Sequence, residues 1–288
     1  MIDKLKIGLL VNGPWGDMPG PYGEEPCGEM FADLKQIGYD AVELLWQPGR
    51  VAEKKSAAEA AGLILSEIVF QRDYVTRDPA EGKENVRLTA ECIKECAAAG
   101  VDTINVFTGP APWIPDPVIV GKDISQKEAW DRVFEAFDAV VPVAEENGVR
   151  LALEGVWCHL CHDFFTAKYL VDRYRSDYLG VNFDPSHDVI SNNTDMDFLV
   201  KGWGGAIKHI HLKDAVGVME PGRFIFPLLG EGFVDWKAFR KALDDIGYEG
   251  VCSVEFESAG YLANYCGGDL RQAARLSFEI LKKLLKKE

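Results

Sequence analysis

The chain has 288 residues, 47% hydrophobic and 27% charged, which is ordinary usage for a folded globular protein and excludes a disordered chain, a collagen and a coiled coil. With 31 basic and 46 acidic residues the net charge is −15. A chain this acidic repels phosphate backbones and anionic lipid, so neither nucleic acid nor a membrane is expected as a partner.

Eight short runs rich in Val, Ile, Leu and Phe recur along the chain. They are KIGLLVN (6–12), AVELLW (41–46), LILSEIVF (63–70), VDTINVF (101–107), VRLALEG (149–155), YLGVNFD (178–184), AIKHIHL (206–212) and GVCSVEF (250–256). Each reads as a strand buried on both faces, the form strands take in a parallel sheet. Helical patterns lie between them, at 27–37, 51–61, 81–99, 126–147, 163–173, 195–201, 235–246 and 269–286. Gly38, Gly62, Gly100, Gly148 and Gly247 follow five of these patterns, where a left-handed residue closes a helix before the next strand. Strand–helix alternation of this kind predicts a (β/α)8 TIM barrel. No G-x-G-x-x-G follows the first strand, which argues against a dinucleotide-binding sheet. No linker or low-complexity segment divides the chain, and residues 1–288 are read as one domain.

The longest irregular stretches are 12–26, 108–125 and 214–234. All three follow strands, so in a barrel they cover the C-terminal face, where barrel active sites lie. No uninterrupted apolar run reaches the ~18 residues a membrane-spanning helix needs. The first residues, MIDKLKIGLLVNGPWG, carry neither the apolar length nor the small-residue cleavage site of a signal peptide. Seven cysteines in a chain of this length read as reduced thiols, so a cytoplasmic location is expected.

Glu154, Asp184, His211 and Glu255 fall at or near the ends of strand runs five to eight. In a barrel, four consecutive strands aim those side chains at one spot. A charge at the end of an apolar strand is expensive unless it is paired or binds a metal. Two Glu, one Asp and one His form a mostly hard-donor set that suits one divalent ion, Mn²⁺ or Mg²⁺ first, then Co²⁺ or Zn²⁺. The plainer alternative is that each acid caps the following helix or pairs with a nearby Lys.

The motifs LALEG (151–155), VNFDPSH (181–187), HIHLKD (209–214), PLLGEGFVDW (227–236), GYEGVCSVEFE (247–257) and GYDAVEL (38–44) resemble those of the xylose-isomerase-like barrel family. That family comprises sugar isomerases and epimerases, the ketose 3-epimerases among them, and also contains endonuclease IV. The resemblance implies that Glu154, Asp184, His211 and Glu255 ligate a divalent metal and that His187 contacts the substrate. It further implies that Glu154 and Glu255 act as an acid–base pair on the carbon next to a carbonyl, through a metal-stabilised enediolate. His187 and a basic residue, Lys213 or Arg223, would then steady the oxyanion. Lys213 has a competing partner in its neighbour Asp214. Two departures stand out. Leu160 occupies the position where the 3-epimerases carry a further acid, and the loop around Arg223 differs from theirs.

The main expectation is therefore a metal-dependent sugar isomerase or epimerase, with a small sugar as substrate and a dimer or tetramer as the family's usual assembly. The alternative is a lyase or dehydratase on a keto-inositol or a 3-keto-glycoside, including C-glycoside cleavage. Five histidines and a charge of −15 argue against a nuclease, and the complete ligand set argues against a non-enzymatic sugar-binding subunit.

Other residues have two readings each. Glu43 could reach a substrate hydroxyl or be structural. Trp15, Trp46, Trp113 and Trp157 all fall on strand-end loops, where aromatic faces stack on sugar C–H faces or pack the loop. Cys158-His159-Leu160-Cys161-His162 has a haem-attachment form, but export is not expected and no second Cys pair completes a zinc site. The segment is read as a loop over the active site, with His159 or His162 touching substrate or capping the next helix.

Overall fold

A computed structural model describes residues 5–11 and 28–285. The elements run β1 (Lys6–Val11), α1 (Gly28–Ile37), β2 (Ala41–Leu45), α2 (Val51–Ala60), β3 (Ile64–Val69), α3 (Pro79–Ala99), β4 (Thr103–Val106) and α4 (Gln126–Asn147). Then follow β5 (Arg150–Glu154), α5 (Phe164–Tyr174), β6 (Leu179–Phe183), α6 (Pro185–Ile190), α7 (Met196–Trp203) and β7 (Ile207–Leu212). The chain ends with β8 (Val216–Gly217), β9 (Phe224–Ile225), α8 (Trp236–Asp245), β10 (Val251–Val254), α9 (Ala259–Asn264) and α10 (Leu270–Leu284). Eight parallel strands close in the order β1-β10-β7-β6-β5-β4-β3-β2, so the chain folds as a (β/α)8 TIM barrel. Among the described residues, no helix is long and apolar enough to cross a membrane.

Local chemistry explains most element ends. Asp78 caps α3 by accepting from Ala80 N at 2.9 Å, with Pro79 in the first turn, so this helix starts two residues before its apolar pattern does. Ser125 caps α4 through Glu128 N at 3.1 Å. Gly100 and Gly148 close α3 and α4 at φ 72° and 68°, a region where a side chain is strained.

Three short pieces were not legible as elements: α6, α9 and the antiparallel β8–β9 hairpin inside the 214–234 stretch. Each is only a few residues long, too short for a hydrophobic period to register. The stretch 12–26, with Trp15, lies outside the described residues.

The outward faces of the strands pack against the helices through fully buried side chains such as Phe31, Phe70, Phe137, Phe183 and Phe239. The lumen differs from the branched aliphatic layers usual in such barrels. It holds Glu43, Glu67, Asn105, Asn182, His209, His211 and Ser253, all buried and hydrogen-bonded across the barrel.

Candidate metal centre and its cavity

The ends of β5, β6, β7 and β10 bring Glu154, Asp184, His211 and Glu255 together. One ligand atom from each lies within 4.8 Å of the others. His211 Nδ1 stands 3.3 Å from Glu154 Oε1 and 3.3 Å from Glu255 Oε2. Asp184 divides its two oxygens. Oδ1 caps α6 by accepting from Ser186 N at 2.8 Å, while Oδ2 makes no hydrogen bond and lies 3.0 Å from Lys213 Nζ. The helix-capping reading thus holds for one oxygen, and the other faces the donor cluster. Three carboxylates and one imidazole, buried and converging with an oxygen left over, fit a hard divalent cation.

His211 also has a rear partner. Its Nε2 meets Glu43 Oε2 at 2.9 Å, and the other Glu43 oxygen is bonded to His209 Nε2, which also meets Ser253 Oγ at 3.2 Å. A carboxylate behind a ligating imidazole fixes the ring's tautomer and orientation, here leaving Nδ1 for the donor cluster. Glu43, Glu67, His209 and His211 form a second group close enough to share an ion, lying deeper than the first. Burial alone would raise the Glu43 carboxyl, but the charges of His209 and His211 together hold it below its ordinary range. Glu67 goes the other way, raised by burial and then by Glu43. Burial would lower His211, but Glu154, Glu43 and Glu255 overcome it and hold the ring protonated. A bound cation would take the place of that Nδ1 proton.

Lys213 does not turn toward Asp214. Its ammonium bonds to Glu255 Oε2 at 2.6 Å and Glu257 Oε2 at 2.8 Å, and lies 3.3 Å from His187 Nε2 and 4.6 Å from the Phe226 ring centroid. Asp214 instead holds the following loop. Oδ1 accepts from Ala215 N and Val234 N, and Oδ2 accepts from Gly230 N, Gly232 N and Trp236 Nε1, all within 3.1 Å. Burial opposes the Lys213 charge, yet Asp184, Glu255 and Glu257 raise it well above its ordinary value. The same ammonium, with His211, keeps Glu255 ionised in spite of burial. Burial pushes Asp184 up to about 6 and Glu257 up to about 7. His187, 3.5 Å from Asp184 Oδ2, is driven well down by burial and then by Lys213, so its ring is neutral.

A cavity of about 550 Å³ opens above these groups. One part of its wall is Glu154, His211, Lys213, Glu255 and Glu257, with the neutral His187 among them. Trp113 and Trp157 also line the cavity. Glu43 is absent from the walls, being buried behind His211. Arg223 also stays away from the cavity, on the β8–β9 turn, exposed and paired with Glu220 at 2.6 Å. His159 stacks on Trp113 with centroids 5.4 Å apart and accepts from Gly109 N at 3.3 Å, while its Nε2 has no partner. Burial, then His162, lowers the His159 imidazole to about 3. The cap of α5 is Asp163, bonded to Thr166 N at 2.9 Å, and neither histidine of the segment. Trp46 is tied to the helix ring through Glu95 at 3.0 Å.

Glu257, Phe224 and Phe226 escaped the sequence reading, as did His209 and Glu67. A two-residue step back from His211 leads to His209, since alternate strand residues share a face, whereas Glu257 lies past the end of β10, where no strand period applies.

A family model described as xylose isomerase-like TIM barrel matches residues 31–284. An inosose dehydratase of Geobacillus thermodenitrificans is 23% identical over 284 residues, covering 91% of this chain and 93% of that protein. The solved structure of an L-ribulose 3-epimerase superposes with a TM-score of 0.71 at 20% identity, covering 98% of this chain and 94% of that one. The IOLI protein, solved with a zinc atom bound, superposes with a TM-score of 0.71 at 19% identity, covering 98% of both chains. Both likenesses to solved structures are likenesses of fold. The family match runs from α1 to the end of α10 and takes in all four strand-end donors, so this chain belongs to the xylose isomerase-like TIM barrel family.

Proposed function

We propose that this chain is a divalent-metal-dependent lyase that removes a leaving group, water in the simplest case, from a ketonic polyol ring. Glu154, Asp184, His211 and Glu255 would hold the ion, Mn²⁺ by first choice for this donor set, and the ion would supply a Lewis acid for the substrate's carbonyl oxygen. Glu255 is kept ionised by Lys213 and His211 and is the base that takes the proton next to the carbonyl. The C–H electron pair becomes a carbon–carbon double bond while the neighbouring C–O bond breaks. The departing hydroxyl keeps the bonding pair and needs a proton to leave as water.

The observation that carries this reading is the proton-bearing pair beside the four donors. Lys213 and Glu257 lie 2.8 Å apart on the cavity wall, one cationic and the other lifted to about 7. Both are supplied with a proton near neutral pH, and a leaving group requires one. Neutral His187, beside Lys213, is placed to orient the substrate's oxygens. The inosose dehydratase named above, aligned over most of both chains, acts in the same chemical class.

A second reading, isomerase or epimerase, keeps the proton abstraction and omits the departure. It is favoured by Glu154 and Glu255 each standing 3.3 Å from the same His211 nitrogen, two carboxylates flanking one point. Incubation with 2-keto-myo-inositol and with ketohexoses in D₂O separates the two. The lyase gives a product one water lighter by mass spectrometry. Recovery of a ketose carrying solvent deuterium, with no water lost from either substrate, overturns the lyase reading.

A further inference from the structure

The cavity is built from two unlike halves. The charged groups lie on the side of β5, β6, β7 and β10. On the other side the strand ends present Leu10, Leu45, Val69 and Phe107, and Leu10, Val69 and Phe107 pack with Val156 as an apolar cluster separate from the main core. From there four aromatic rings run back toward the donors. Trp113 meets Trp157 at 5.7 Å, Trp157 meets Phe224 at 5.1 Å, and Phe224 meets Phe226 at 5.3 Å between centroids. Phe226 ends the run against His187 at 5.7 Å and Lys213 at 4.6 Å.

A bare cyclitol or ketose carries hydroxyls around its whole edge. One aromatic plate is enough to stack on its C–H face. It has nothing to offer three more rings and a bed of Leu and Val, where Gln71 is the one polar side chain among the described lining residues, so most of its hydroxyls would lose water there without gaining partners. A volume of about 550 Å³ falls among the pockets that enclose drug-sized ligands. Pockets of this kind are mostly apolar, with a few polar groups fixing orientation, and among the described residues the ionised lining groups are all at one end.

We infer that the substrate is amphiphilic, a ketonic polyol ring carrying a flat apolar substituent, preferably aromatic, which lies along Trp113, Trp157 and Phe224 while the ring faces the four donors. For the placement of the ring this rests on the function proposed above; the binding of the substituent is a separate claim about the apolar half. The half of the molecule held by the aromatic run is then the group attached to the ring, and substrates are distinguished chiefly by that group.

The probes are phenyl β-D-glucopyranoside and methyl β-D-glucopyranoside, titrated calorimetrically into the full chain with Mn²⁺ present. The phenyl glucoside is expected to bind at least tenfold more tightly than the methyl. Trp157→Ala and Trp113→Ala should each remove most of that advantage while shifting the methyl affinity less than twofold. Trp113 is half exposed, so its variant remains foldable should the other fail. Equal affinities for the two probes, no binding of either, or an advantage that survives both substitutions would overturn the inference. Water loss from 2-keto-myo-inositol is measured alongside. Turnover without a phenyl preference sinks this inference alone, and a phenyl preference without any elimination sinks only the proposed reaction.

Discussion

The two halves of the barrel mouth are made from the same kind of position, the last residues of parallel strands, and carry opposite chemistry. Leu10, Leu45, Val69 and Phe107 end one set, whereas Glu154, Asp184, His211 and Glu255 end the other. The backbone therefore supplies a ring of equivalent sites, and the side chains alone divide it into a half that would handle charge and a half that would handle shape. Changes in the charged half should alter chemistry and ion affinity with little effect on folding, because those carboxylates face one another and are crowded. Changes around the loops that roof either half should alter stability.

Glu255→Gln is expected to have the largest effect, lowering turnover by about 10²- to 10⁴-fold as a general base is lost. Thermal unfolding of the ion-free protein should move little, since Lys213 keeps Glu257 and Asp184 as partners. A variant that unfolds readily while keeping turnover would erase the distinction between the halves and the scaffold.

Asp214→Ala is the converse. It strands five donors, four backbone N–H groups and the Trp236 indole, in a buried site. Unmatched buried donors cost about 1–3 kcal/mol each, so a destabilisation above about 4 kcal/mol is expected in chemical denaturation. A loss below about 1 kcal/mol would show that Asp214 is not the anchor of the 214–236 loop.

Glu43→Gln acts from below the charged half. It removes the ionised acceptor behind His211 without touching the cavity wall. Ion affinity, read by calorimetry with Mn²⁺, should fall about 10- to 100-fold, the usual cost of losing such a partner. Unchanged affinity would mean that the lumen layer serves the fold only.

The last effect belongs to the apolar half and is confined to a pH window. Asp73 accepts from Ala111 N at 2.7 Å and so ties down the loop that leads to Trp113. Burial, the largest influence, lifts its carboxyl from 3.8 to about 6. The folded state thus holds this proton more tightly than the unfolded state. The contribution to stability is fully present below pH 3.8 and is lost as pH rises to about 6. Its slope is at most about 1.4 kcal/mol per pH unit. Asp73→Asn should flatten that slope when denaturation curves of the two proteins are compared from pH 4 to 7. Parallel curves would rule out Asp73 as the titrating group.

The amino-acid order alone was enough for the barrel and for its four converging donors. Strand runs and closing glycines are local signals, and a parallel barrel converts "end of a strand" into "rim of one face" with no further information. It was also enough to single out Lys213 and His187. The direction in which Lys213 points, however, was open between Asp214 and the cavity, and only the packed loop closed by Asp214 decides it. The polar lumen, the pairing of Glu43 with two imidazoles, the recruitment of Glu257 and the aromatic run through Phe224 and Phe226 likewise depend on residues far apart in sequence meeting across the barrel. Hydrophobic period reports whether a face is covered. It is silent on which side chains from distant strands share the space beneath, because that is set by strand stagger and loop packing, which no short window of sequence contains.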